Sequence, residues 1–124
     1  MAYAFSTSID QLGNQLVVTI AESDCGSTDE ATIALDFSRG RVIKQACSKT
    51  SGTATTVNPV LGTAAAPAGN TIIIANDTAD DPVANVVQGG MPFITNGTLY
   101  HRSQPDAGAD NVVESIYYIV KDWS

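Results

Sequence analysis

Apolar and polar positions alternate with a period of two along much of this chain, and nowhere do they recur at helical spacing for as many as about three turns. Leu16 to Ala21 sets Leu16, Val18 and Ile20 on one face of a strand. Ala31 to Phe37 does the same with Ile33, Leu35 and Phe37. After Ser38-Arg39-Gly40, a turn composition, Arg41 to Cys47 returns as the expected hairpin partner, with Ile43, Gln45 and Cys47 on one side. Thr71 to Ala75 is the densest β-branched run and reads as a central strand. Val112 to Val120 closes the chain as a long strand with large groups on both faces: Tyr117 and Ile119 against Ile116, Tyr118 and Val120.

Between these runs the breakers are regular. Glu22 to Glu30 has loop composition, and Leu61 to Asn70 reads as an Ala-, Pro- and Gly-rich loop. Thr53 to Val57 has strand propensity without an apolar face, and Asn58-Pro59 ends it. Pro82 to Val87 fits one helical turn after Asp81 or a short strand, broken by Gly89-Gly90. Asn96-Gly97, between Met91–Thr95 and Thr98–Arg102, is the strongest local signal for a two-residue hairpin. The expected fold is all-β: a small β-sandwich or β-barrel of about seven to nine strands. Residues 1–13 are expected to form an N-terminal arm and 14–124 a single β domain.

Composition narrows the chemistry. At 124 residues and 44% hydrophobic content, the chain is long enough and apolar enough for one ordinary core. Charged residues make up only 15%, so much of the exterior must be Thr, Ser, Asn, Gln and Gly, or be covered by partners. A formal charge of -7 with six scattered Lys and Arg argues against nucleic acid as partner. The opening residues lack a signal-peptide pattern and no stretch suits a bilayer, so the chain is expected to be made in the cytoplasm with no membrane partner. Cys25 and Cys47 are compatible with a disulfide, a metal site or free thiols, free thiols being the default in a reducing compartment.

Candidate catalytic groups are few. His101 is the single histidine and is expected at a surface or interface. A small hydrolase would need the fold to bring Asp106 or Asp110 to it. Asp77, Asp80 and Asp81 have oxygen atoms for calcium but lack the spacing, glycine and closing Glu of an EF-hand loop. No catalytic residue, metal site or cofactor is assigned. The aromatics suit contacts better: Tyr3, Phe5 and Ile9 on the arm, and Tyr117, Ile119 and Trp123 at the end of the chain, are the expected subunit or capsid contacts. Tyr100 and His101 form a candidate ligand surface.

The short opening arm, the stretch from Gly40-Arg41-Val42-Ile43 to Thr53-Ala54-Thr55, and Asn96-Gly97-Thr98-Leu99-Tyr100 before a polar loop and closing strand resemble the virion structural proteins of tailed bacteriophages. In overall texture the chain is most similar to small head decoration (cement) proteins. That resemblance implies a non-enzymatic subunit, placed in the virion after assembly in the host cytoplasm, that binds the outer capsid surface and stabilises the head. It implies the major capsid protein as partner and a homo-oligomer, with a trimer favoured. The cysteine pair departs from what such a role needs. The alternative is a carbohydrate- or receptor-binding module of a phage tail or head fibre, with Tyr100, His101 and Trp123 in an exposed groove.

Overall fold

A computed structural model describes residues 2–76 and 79–122. Among the described residues it is an all-β sandwich whose nine strands form two antiparallel sheets, with one 3-10 turn at Gly69–Thr71. In chain order the strands are β1 (Ala4–Leu12), β2 (Gln15–Cys25), β3 (Ala31–Ala34), β4 (Arg39–Ser51), β5 (Val60–Gly62), β6 (Ile72–Ala75), β7 (Val83–Ile94), β8 (Thr98–Arg102) and β9 (Asn111–Lys121). The five-stranded sheet runs β1-β2-β9-β4-β7 and the four-stranded sheet runs β3-β8-β5-β6.

The period of two in the sequence becomes the inside and outside of these sheets. On β2, Leu16, Val18 and Ile20 face inward, and on β9 Val113, Ser115, Tyr117 and Ile119 do the same. Ile33, Leu61, Ile73, Ile74 and Leu99 meet them from the smaller sheet. A second cluster of Cys25, Cys47, Val57, Val83 and Val113 fills one end. Tyr117 and Ile119 are therefore core residues, 0% and 1% exposed, and not contacts for another subunit. The outward side of β9 is the one with Ile116, Tyr118 and Val120.

The segment expected as an arm is the first strand. β1 pairs with β2 over its whole length, from Ala4 opposite Ser23 to Leu12 opposite Gln15. Gly13, at φ 63°, takes the first central position of the two-residue turn that joins them, a conformation glycine adopts without steric cost. β1 is the outermost strand of the larger sheet, and every one of its residues is exposed.

Two expected hairpins are crossings between sheets. β3 pairs with β8 while β4 pairs with β9 and β7, so Asp36-Phe37-Ser38 carries the chain from one sheet to the other. Asn96-Gly97 likewise leads from β7 to β8, which pairs with β3 and β5 instead of folding back on β7. The turn chemistry is present, with Gly97 at φ 111°, but burying Phe93 and Leu99 in opposite halves of one core outweighs local pairing. Thr71 to Ala75 contains β6, an edge strand and not a central one, its Ile73 and Ile74 buried by the sandwich. β5 arises within the expected loop, and β7 continues through Gly89-Gly90, which bulges out of register between Val86 and Met91.

Substituting Leu99 by Ala should lower the unfolding free energy by about 3 kcal/mol, the usual cost of a cavity in a closed core. Leu12→Ala, at a side chain 84% exposed, should stay within about 0.5 kcal/mol of the parent. Urea unfolding of the two variants checks the pair; comparable losses would contradict this placement of the core.

Candidate functional site

A polar cluster sits between the sheets, built at inward-facing positions of strands that are otherwise apolar. Glu22 continues the Leu16, Val18, Ile20 face of β2. Ser115 and Tyr117 belong to the inner face of β9, Gln45 to that of β4, and His101 follows Leu99 on β8. Ser103 lies just beyond β8. All six are buried, so each polar atom must find a partner inside the protein.

They find one another. His101 Nδ1 lies 2.6 Å from the Tyr117 hydroxyl, which accepts a bond of 3.0 Å from Gln45 Nε2. Gln45 Oε1 in turn accepts from Asn85 Nδ2 at 3.0 Å. His101 Nε2 lies 2.7 Å from Ser103 Oγ, 3.1 Å from Ser115 Oγ and 3.3 Å from Glu22 Oε1. Ser103 donates its hydroxyl to Glu22, and Tyr3 donates to the other carboxylate oxygen at 2.6 Å. Ser115 donates to Cys47 Sγ at 3.3 Å.

The network assigns the imidazole tautomer. Burial pushes the Tyr117 phenol well above its ordinary value, so it keeps its proton. Since Gln45 donates to that oxygen, Tyr117 donates to Nδ1, and the ring proton sits on Nε2 facing the carboxylate. Burial raises the Glu22 pKa, but hydrogen bonds from His101, Ser103 and Tyr3 outweigh it and hold the carboxyl below its ordinary 4.5. Tyr3 is shifted upward by burial and by Glu22.

Serine, histidine and a carboxylate in contact invite comparison with a nucleophilic triad, and the order is wrong for one. A working triad sets the acid on one imidazole nitrogen and the serine on the other. Here Glu22 and Ser103 share Nε2, the serine proton goes to the carboxylate, and Tyr117 occupies Nδ1. His101 is also 0% exposed. The expectation of a surface histidine is thus corrected: the core needed a hydrogen-bonding residue opposite Tyr117, and His101 cannot belong to a ligand surface. Tyr100, on the opposite face of β8, is half-buried.

The remaining candidates are scattered. Asp106 accepts from Thr55 N and Oγ1, both at 2.8 Å, and Asp110 from Thr53 N at 3.1 Å and Oγ1 at 2.8 Å. Bonds from the Thr55 amide and hydroxyl lower the Asp106 pKa, and the Thr53 hydroxyl and amide do the same for Asp110. Both acids fasten the 53–56 segment at the surface, away from buried His101. Asp81 accepts from Lys49 N at 3.0 Å, while Asp77 lies outside the described residues. Trp123, an expected contact, also lies outside them. Tyr3 is half-buried, and Phe5 and Ile9 are exposed on β1 beside it. Sequence reasoning missed Glu22, Ser103 and Ser115. The readable signal was parity, since Glu22 and Ser115 fall on the same alternation as their buried neighbours.

Cys25 and Cys47 are free, buried thiols. Burial raises both, Cys47 to about 11. A separate recess of about 510 Å³ opens at the surface among Arg39, Asn70, Ile72, Pro92, Phe93 and Asp122.

Because the folded pKa of Glu22 is depressed, its stabilisation is present above pH 4.5 and is lost as pH falls through the folded value. Glu22→Gln should cost about 3 kcal/mol at neutral pH and flatten that acid loss, as measured by urea unfolding at a series of pH values. An equally steep acid loss in the variant would contradict the assignment. Both thiols should resist iodoacetamide at pH 8 at least about a hundredfold better than an unfolded control, read by mass spectrometry.

No protein-family model matches the chain, and no curated protein matches it.

Proposed function

We propose that this chain is a virion structural protein that binds the outside of a tailed-phage capsid as a decoration subunit and stabilises the head. The observation that carries this reading is the outer face of the five-stranded sheet. Across it, paired positions line up Val86 on β7, Lys44 on β4, Tyr118 on β9 and Val17 on β2. Val86 is 75% exposed and Ile94, on the same side near the end of β7, is 68% exposed. Tyr118 is 39% exposed with Lys44 Nζ 5.3 Å from its ring centroid. Among the described residues no second layer covers this face.

A strand at the centre of a sheet that carries Ile116, Tyr118 and Val120 outward is costly in water unless a partner covers it. Aromatic and aliphatic groups interleaved with Lys44 and Arg41 suit a protein surface better than a sugar. A rigid sandwich with its chemistry sealed inside fits a mechanical subunit. Many copies held by capsid symmetry turn a modest contact into strong collective binding. The protein then works in the virion, after assembly in the host cytoplasm, with the major capsid protein as its partner.

The test is binding to purified empty tailed-phage capsids stripped of their decoration layer, followed by co-sedimentation. The parent should bind, and Tyr118→Ala and Val86→Asp should each weaken binding by about tenfold or more while leaving the urea midpoint nearly unchanged. Absence of binding by the parent sinks the reading, and full binding by both variants sinks the assigned face.

A further inference from the structure

β1 is an unguarded sheet edge, and its sequence is complementary to itself. Natural sheets protect their edges with short strands, bulges, prolines or lysines. Among the described residues the other three edges follow that rule. β3 and β6 are four residues each, and β7 carries the Gly89-Gly90 bulge and Pro92. β1 has nine residues, pairs with β2 without a register break, and contains no Pro, Lys or Arg. It also carries little charge for a molecule at -7, with Asp10 alone.

The hairpin fixes which backbone groups are free. In a two-residue hairpin the flanking pair, here Leu12 and Gln15, exchanges hydrogen bonds, so Leu12, Asp10, Ser8, Ser6 and Ala4 aim their amides and carbonyls at β2. Phe5, Thr7, Ile9 and Gln11 aim theirs away from the sheet. Their side chains share the inward side with Glu22, Ile20, Val18 and Leu16, yet remain exposed at the margin of the sandwich.

We propose that β1 pairs antiparallel with β1 of a second copy about a twofold axis at Thr7, joining two five-stranded sheets into one. This register sets Phe5 opposite Ile9 of the second copy on both sides of the axis, Thr7 opposite Thr7, and Tyr3 opposite Gln11. Aromatic against β-branched and threonine against threonine are favourable cross-strand pairs. On the other side Ala4 meets Asp10 and Ser6 meets Ser8, so the two aspartates stay apart. Shifting the axis to Ser8 sets Phe5 against Gln11 and loses the apolar pairs. Roughly six backbone hydrogen bonds close the join. The Tyr3 and Phe5 rings, 6.0 Å apart, extend its apolar strip. The pairing forms in solution and is independent of capsid binding. It replaces the trimer expected from resemblance with a twofold unit.

Sedimentation velocity over a concentration series tests it, with Thr7→Lys and Thr7→Asp as variants at an exposed position that leaves the core untouched. The parent should sediment as a dimer. Each variant, placing like charges opposite each other at the axis, should sediment as a monomer, and an equal mixture of the two should regain the dimer mass. A monomeric or trimeric parent, a single variant that stays dimeric, or a mixture that stays monomeric overturns the proposal.

Discussion

The buried hydrogen-bond network around His101 ties the two sheets to one relative position. Glu22, Gln45, Ser115 and Tyr117 come from three strands of the larger sheet, and His101 from the smaller one. Apolar side chains tolerate small slides of one layer over another, because their attraction is not directional. A carboxylate, an imidazole and a phenol at distances near 2.6 to 3.3 Å do not. A slip of one residue in β9 would turn Tyr117 and Ser115 outward and take both hydroxyls away from the buried His101 ring. The cost of burying these groups is offset only when all of them meet, which favours one arrangement over its neighbours.

That constraint also explains which parts of the fold were legible in the sequence. Strong alternation located β2, β3, β4, β8 and β9, because inward and outward positions differ in polarity there. β5 was hidden by its length and by Pro59 before it, and β7 by two glycines that bulge rather than terminate. The pairings of Ser38-Arg39-Gly40 and Asn96-Gly97 were misread, since turn chemistry specifies a change of direction but not which sheet receives the next strand. Only the packing of Phe37, Phe93 and Leu99 into a common core decides that. The polar cluster was legible in part: Glu22 and Ser115 share the parity of buried neighbours, whereas the fate of His101 depended on a partner strand far away in sequence.

The same division separates interior from exterior roles. Sequence reasoning assigned Tyr117 and Ile119 to contacts because both faces of β9 carry large groups, whereas the structure buries these two and turns Ile116, Tyr118 and Val120 outward. Groups with reactive potential, the histidine, the buried carboxylate and the thiols, are all consumed by structure. Among the large apolar side chains that face water, Phe5, Ile9 and Leu12 lie on β1, and Val86, Ile94, Val112 and Tyr118 on the outer face of the larger sheet.

The hydroxyl of Tyr3 crosses this division. It comes from the segment leading into β1, at the rim, yet it supplies one of the bonds that satisfy Glu22 in the interior. Detaching that rim would therefore strip a donor from the carboxylate beside His101 and make the whole interlock of the sheets less secure. The outermost strand acts as a latch on the innermost charge, so the edge and the centre of this sandwich loosen or tighten together.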